Sequence, residues 1–419
     1  MKALKGFKDI IPGEVETWQF IEKTARDILT SFGCDEIKVP ILEKTKLFQR
    51  SIGETTDIVE KEMYTFADRN GSSLTMRPEG TAPVLRAYIE HALHVAKPLQ
   101  RLFTIGPMFR HERPQKGRLR QFHQISVEAL GLDHPRLDAE LMAMASLIVE
   151  RLGLSVSLEI NSLGCPKCRP AFNQALLDFL ANLTDICEDC QRRREKNPLR
   201  VLDCKNEGCQ SHYQNAPSIL DHLCAECDDH FAEVKQGLDL LGVSYKINHF
   251  MVRGLDYYSR TTFELITNDL GAQAAVGAGG RYNGLVKQLG GPNVPGIGFG
   301  LGIERLALLL SEGGKTPAAP GPDLFIAALG AKAQDKAQQL CHTLRGQGLR
   351  VALDLQDRSL KNQMKQAGRA KVRFALIMGE DELEKGVATL RDMESREQQD
   401  LPLTADIDGW CSALAGKIK

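Results

Sequence analysis

Two strand-like stretches, "KPLQRLFTIGPMFRHE" (97–112) and "RQFHQISVEALG" (120–131), flank a short polar loop. Strands separated by so few residues form an antiparallel hairpin. The loop carries Arg110, Arg113, Lys116, Arg118 and Arg120, with Pro114 and Gly117 between them. Its apolar residues Phe109, Leu119 and Phe122 are too sparse for a core helix. Guanidinium groups suit planar, bidentate contact with phosphate or carboxylate. Such a loop either grips an anion or is a solvated basic turn. Gln124 and Glu128 stand four apart on the outgoing strand, so they share one face.

The total charge makes that cluster informative. Lys plus Arg number 53 against 54 Asp plus Glu, a formal net charge of -1. No global field draws the chain to nucleic acid or membrane, so polyanion binding must come from local patches. No apolar run approaches the roughly 20 residues of a membrane span. The opening "MKALKGFKDIIPGE" lacks an apolar stretch of signal-peptide length. The expectation is a soluble, cytoplasmic protein with no membrane partner. Its 419 residues suggest two or three domains. Eleven cysteines make a disulfide framework an unsuitable reading. Eight of them, Cys165, Cys168, Cys187, Cys190, Cys204, Cys209, Cys224 and Cys227, form a local set. They are either two Cys₄ zinc sites or reduced thiols of an insertion.

Helical spacing of Trp18, Ile21, Ala25, Ile28, Leu29 and Phe32 ends at Gly33. "DEIKVPIL" reads as a short strand, and "GSSLTMRPEGTAPVLRAYIEHAL" as turn, strand, Pro-Glu-Gly turn and helix. "LDAELMAMASLIVERLGL" is a helix and "SVSLEINSLG" a strand. "YKINHFMVRGLDYYSRTTFELIT" reads as paired strands, "VGAGGRYNGLVKQLGG" as a glycine-rich turn into a helix, and "PGIGFGLGIERLALLLSEG" as strand or turn, then helix. "GGKTPAAPGP" is a linker, after which strand and helix alternate as a small α/β domain.

Three further groups carry polar chemistry. Glu79 in "RPEGT" can hold an ammonium group or cap a helix. Arg253, Asp256, Tyr257, Tyr258, Arg260 and Glu264 crowd "VRGLDYYSRTTFE". Four glycines between Gly277 and Gly284 permit close approach to a ligand, with no P-loop pattern present. Arg305 opens an apolar helix and either lies on the surface or reaches a site.

Together these stretches resemble the histidyl-tRNA synthetases over the whole chain. "FRHERPQKGRLRQFHQ" is similar to the motif 2 loop of class II synthetases, "GFGLGIERL" to motif 3, and "FGCDEIKVP" with its preceding helix to motif 1. "VRGLDYYSRTTFE" and "VGAGGRYNGLV" resemble the histidyl-specific segments. The resemblance implies an α+β catalytic domain with a six-stranded antiparallel sheet over 1–321, a Cys-rich insertion at about 165–235, and an anticodon-binding α/β domain over 322–419. It implies a homodimer, ATP with Mg²⁺, L-histidine and histidine tRNA as partners, and a histidyl-adenylate intermediate. Carried over position by position, Glu79, Gly80, Thr81 and Gln124 would hold the amino acid's ammonium group. Glu128, Tyr257 and Tyr258 would surround the imidazole. Arg110, Arg118 and Arg305 would bind ATP, and Arg253 with Arg110 would stabilise developing charge. Arg113, Gln115 and Arg120 would face the tRNA acceptor end. The family does not imply zinc. A related non-catalytic alternative is the synthetase-like regulatory subunit of ATP phosphoribosyltransferase, which lacks the C-terminal domain.

Overall fold

A computed structural model describes residues 1–53, 56–204, 206–267, 269, 275–319 and 321–418, with Lys196 described by its backbone alone. The chain divides into two compact units, Met1–Pro317 and Ala318–Lys419. Pro320 of the linker lies outside the described residues.

In the first unit, the helical spacing after Pro12 produces a helix over Val15–Ser31, with Ile21, Ala25, Ile28 and Leu29 buried. Gly33 follows it at φ +72°, the left-handed geometry that ends helices without a Cβ penalty. The hairpin forms as its pattern requires. Gln100–Phe109 and Gln121–Leu130 pair along their whole length, from Gln100 opposite Leu130 to Phe109 opposite Gln121.

That hairpin belongs to a sheet of eight strands among the described residues. Their order is Asp35–Glu36, Gln100–Phe109, Gln121–Leu130, Gly296–Gly302, Ala275–Arg281, Ser259–Ile266, Ser157–Ser162 and Tyr245–Ile247. The expected six-stranded antiparallel sheet is therefore corrected to an eight-stranded mixed one. Its six middle strands do run antiparallel. Asp35–Glu36 instead lies parallel to Gln100–Phe109, and Tyr245–Ile247 parallel to Ser157–Ser162. A parallel neighbour needs a long crossover. The Cys-rich segment and the helix Ala225–Leu240 supply it before Tyr245.

Two local expectations also change. Tyr245–Ile247 and Ser259–Ile266 do not pair with each other, because Ser157–Ser162 lies between them. "VGAGGRY" is strand, not turn, over Ala275–Arg281. Glycine weakens a strand unless another backbone must come close. That condition holds here: a Cβ at Gly279 would stand 2.4 Å from the Gly298 carbonyl oxygen, and one at Gly280 2.7 Å from that of Thr261.

Period-two alternation gives the sheet two unlike faces. Ile125, Val127, Phe263, Leu265, Phe299 and Leu301 point into the main core, covered by helices that include Val15–Ser31 and Pro135–Arg151. The other face carries Gln124, Ser126 and Glu128. The Cys-rich segment between Ser157–Ser162 and Ala225–Leu240 forms short helices, among them Arg169–Ala181, Glu188–Lys196 and Glu207–Tyr213, around a small core of its own.

The second unit has a five-stranded sheet ordered Val351–Leu353, Leu324–Ala328, Phe374–Met378, Val387–Asp392 and Gln398–Pro402. The first three are parallel, and the last two, absent from the sequence reading, add antiparallel. Its core draws on the helices Ala331–Gly346 and Ile407–Ile418.

Candidate active site

Glycines pave the middle of the polar face. The register sets Gln124 beside Gly302, Ser126 beside Gly300 and Glu128 beside Gly298. Gly300 in turn lies beside Ala278, and Gly298 beside Gly280. Beyond them stand Glu264, opposite Ala278, and Thr262, opposite Gly280. The result is a trough floored by backbone, with a carboxylate on each side. A Cβ at Gly298 would lie 2.0 Å from Glu128 Oε2 and 2.6 Å from the Val127 carbonyl oxygen.

Glu128 is only 1% exposed. Its Oε1 accepts a 2.7 Å hydrogen bond from Thr81 Oγ1, and its Oε2 accepts one from the Tyr282 hydroxyl. Burial pushes its pKa up to about 8, and the nearby Glu79 charge pushes the same way against those two hydrogen bonds. Tyr282 is itself buried, and its ring meets Tyr257 edge-on at 5.7 Å. Tyr257 and Tyr258 lie 4.7 Å apart, centroid to centroid. Tyr258 packs over Gly280, where a Cβ would fall 2.9 Å from its ring. Aromatic rings and a polar buried carboxyl thus lie together at one end of the trough.

Glu79 caps the helix Thr81–Glu90. Its oxygens accept from the amides of Thr81 at 2.7 Å and Ala82 at 2.8 Å. Burial raises its pKa, opposed by those amides and by the Arg110 guanidinium. The cap does not exhaust it, since a carboxylate offers about four lone-pair sites. Gly80 is closed over Ser126, whose Oγ would be 2.5 Å from an added Cβ. Gln124 is half-buried on the same face, beside Gly300.

The arginines divide into distinct positions. Arg253 pairs with Glu264 and lies 5.3 Å from the centroid of the Tyr258 ring. Arg110 donates to the Pro78 carbonyl at 2.8 Å and lies 5.3 Å from the Phe122 ring centroid. Arg118 pairs with Glu112, which also lies 3.9 Å from Arg110. Arg305 donates to the carbonyls of Gly117, at 3.3 Å, and Ala275. Burial lowers the pKa of Arg110, Arg118 and Arg305, and Arg110 also lies near Arg253. Arg113 and Gln115 are exposed at the hairpin tip. Arg120 is not with them. It donates to the Glu112 carbonyl at 3.1 Å and lies against Gly6.

The eight local cysteines gather into two sets, Cys165–Cys168–Cys224–Cys227 and Cys187–Cys190–Cys204–Cys209. Within each, the sulfurs all lie within 4.8 Å of one another, an arrangement able to hold a metal ion.

Comparison with known proteins identifies the family. The family described as "Histidyl-tRNA synthetase" matches residues 6–306, and "Anticodon binding domain" matches residues 323–408. A histidine–tRNA ligase from Desulfotalea psychrophila is 60% identical over 97% of this chain and 94% of its own. The chain belongs to the histidyl-tRNA synthetase family. Another family member, the histidine–tRNA ligase of Geobacter sulfurreducens, is 55% identical over 96% of this chain and 98% of its own. Among solved structures, the apo histidyl-tRNA synthetase of S. aureus superposes with a TM-score of 0.82 at 37% identity, over 98% of this chain and all of that one.

Several side chains that shape this synthetase-family site escaped the sequence reading. Tyr282 orients Glu128; it stands two residues past Gly280, and its partner is 154 residues away. Glu304 accepts from the His123 amide at 2.9 Å and meets His123 Nδ1 at 3.0 Å, tying the helix Ile303–Glu312 to the hairpin. Glu112 was hidden among arginines. Arg169, on the first turn of a Cys-rich-segment helix, donates to the Tyr258 carbonyl, and no local pattern announces that contact.

Proposed function

We infer that this chain is a histidine–tRNA ligase, which joins L-histidine to ATP as histidyl-adenylate and passes the acyl group to the 3′ end of histidine tRNA. The observation that carries the reading is buried Glu128, fixed by Thr81 and Tyr282, with the rings of Tyr257 and Tyr258 nearby. A neutral imidazole presents one N–H donor and one acceptor nitrogen. Glu128 accepts the first, and the Tyr258 hydroxyl donates to the second. A competitor without these groups would leave buried polar atoms unpaired, the strongest basis for rejection. Glu79, Thr81 and Gln124 hold the ammonium group at the other end.

In the first step a carboxylate oxygen of histidine attacks the α-phosphorus, and pyrophosphate leaves. Negative charge builds between the two substrates. Arg253 and Arg110, already fixed by Glu264 and the Pro78 carbonyl, meet that charge without reorganising. The triphosphate displaces Glu112 from Arg118 and Arg110, and Arg305 packs against the nucleotide. In the second step the terminal ribose hydroxyl of the tRNA attacks the acyl carbon, and AMP leaves. No enzyme nucleophile is required.

Mg²⁺ fits this site as a companion of ATP. Among the described residues, groups of three or more metal-ligating side chains are the two cysteine sets alone. Mg²⁺ is ordinarily held by one or two carboxylates together with substrate phosphates. Glu264, paired with Arg253, would be the carboxylate to hold it. Bound there, the ion would neutralise charge on the phosphates.

A homodimer in the cytoplasm is part of the same reading, in keeping with the motif 1 segment. No helix among the described residues is long and apolar enough to cross a membrane. The second unit supplies anticodon contacts. Lys361, Lys365 and Arg369 recur every fourth residue and are exposed on the helix Leu360–Arg369, while Leu360 and Met364 pack inward. The non-catalytic regulatory-subunit alternative is disfavoured by the matched anticodon-binding unit and by ligases as near relatives over nearly the full length. ATP–pyrophosphate exchange run with each proteinogenic amino acid tests the reading. Exchange dependent on histidine alone is expected, and its absence would remove the assignment.

A further inference from the structure

Both cysteine sets have the dimensions of a filled tetrahedral site. Zinc–thiolate bonds of about 2.3 Å place the sulfurs of a tetrahedron about 3.8 Å apart. The Sγ separations are 3.7 Å for Cys165–Cys168, 3.8 Å for Cys165–Cys224 and 3.8 Å for Cys187–Cys204. Amides already point at the sulfurs, as expected where thiolate charge must be balanced. Lys167 N donates to Cys165 at 3.4 Å, Cys224 N to Cys168 at 3.2 Å, Cys187 N to Cys209 at 3.2 Å, and Asn206 N to Cys204 at 3.4 Å.

The segment's packing calls for such a staple. Three of the ten buried residues in its core cluster are cysteines. So small an apolar core seldom holds a fold unaided, and metals commonly make up the difference. The reaction has no redox step, so a redox-silent ion suits both sets.

The first set also sits where the segment leaves and rejoins the catalytic sheet, and its neighbours hold the histidine pocket. Arg169, next after Cys168, donates to the Tyr258 carbonyl. Glu226, between Cys224 and Cys227, pairs with Arg260. Arg260 carries a left-handed backbone, φ +54°, which a non-glycine residue adopts only under constraint. Its amide and carbonyl are gripped in turn by Gly164 at 2.8 Å and Leu163 at 2.7 Å, directly before Cys165. The strained residue two places after Tyr258 is thus clamped by the flanks of the cysteine set.

We propose that the chain binds two structural zinc ions, one in each set, and that the ion at Cys165, Cys168, Cys224 and Cys227 positions Tyr258 for histidine. The positioning half rests on the reading of Tyr258 as a histidine contact; the metal half does not. Arg169 is a positioning residue acting through the Tyr258 backbone.

Elemental analysis of the full, untagged chain, purified without added metal, should find two zinc ions per chain. Zinc well below one per chain, or iron in its place, overturns the metal half. Cobalt exchanged into the wild-type protein should give tetrahedral ligand-field bands with intense sulfur charge transfer. Their absence would also overturn it, with no mutant needing to fold. Arg169→Gln should keep both zinc ions and raise KM for histidine about tenfold, the usual scale for a group supporting a site. KM for ATP should stay within about twofold, and Arg169→Lys should recover part of the loss. Unchanged histidine KM in Arg169→Gln overturns the positioning half. Failure of the wild-type chain to activate histidine would instead count against the functional reading and leave the zinc result standing.

Discussion

Glu128 is a carboxyl group held where water cannot reach it, and that has a measurable consequence. Its folded pKa of about 8 stands above the ordinary 4.5, so between those values the folded chain binds more protons than the unfolded one. Stability from this group is therefore full below about pH 4.5 and is lost as pH rises through about 8. The melting temperature of the empty protein should fall over that range relative to Glu128→Gln, measured side by side in matched buffers. Parallel curves would mean that Glu128 titrates normally. The same residue shows what sequence can reach. Gln124 and Glu128 share a face because strands alternate with period two, which needs no tertiary knowledge. Tyr282 and Arg169 were not legible, because their partners lie 154 and 89 residues away. Gly298 gives a second test at this scale. Its missing Cβ leaves the space that Glu128 Oε2 occupies. Gly298→Ala must move either that carboxylate or the Val127 backbone, and a misplacement near 1 Å can cost about 10²-fold. Histidine-dependent exchange should fall on that scale while ATP affinity holds; wild-type exchange would show that the strand yields freely.

At the scale of elements, the hairpin separates two jobs along its length. Its base, at Arg110, is fixed to the Pro78 carbonyl and, on the proposed function, serves the adenylation chemistry. Its tip, at Arg113 and Gln115, is exposed and closed by a small bridge between Gln115 and Arg118. Arg113→Ala with Gln115→Ala should therefore spare ATP–pyrophosphate exchange and slow transfer to tRNA in single-turnover assays. Equal loss in both steps would place the tip in the first reaction. Arg253→Ala should do the reverse and slow adenylate formation by about 10²–10³, the usual effect of losing one preorganised donor. Adenylate formation at the wild-type rate would make Arg253 a structural partner of Glu264 alone. Hairpin strands and amphipathic helices were legible because their periodicity is local. The strand Ala275–Arg281 was not: its glycines read as turn residues, and only the close approach of the Gly298 and Thr261 backbones explains them. The two edge strands were read as strands, but their parallel pairing was not legible, for a related reason. Asp35–Glu36 and Tyr245–Ile247 are too short to show alternation, and a crossover, not a turn, sets the direction of the second.

At the scale of the molecule, each unit carries its own core, and the two cores share no residue. The linker "GGKTPAAPGP" made that division readable from composition, since such a run can join elements but not bury them. Separate cores imply separable functions. A chain ending at Pro317 keeps the glycine-floored trough, both cysteine sets and all the residues proposed above to meet histidine and ATP. It should retain histidine-dependent pyrophosphate exchange close to the full-length rate. It loses the exposed row Lys361, Lys365 and Arg369, so tRNA affinity and aminoacylation should both fall steeply. Affinity for the full-length chain should decline with salt by roughly 0.7 logarithmic units per decade for each single-stranded phosphate contacted, and the truncated chain should have the shallower slope. Lys361→Glu with Lys365→Glu in the intact chain provides the control. Both positions are exposed, so the reversal removes attraction without opening a core. Normal aminoacylation by the truncated chain would sink the assignment of tRNA contacts to the second unit. Normal aminoacylation by the charge-reversed chain alone would move those contacts to another face of the same unit.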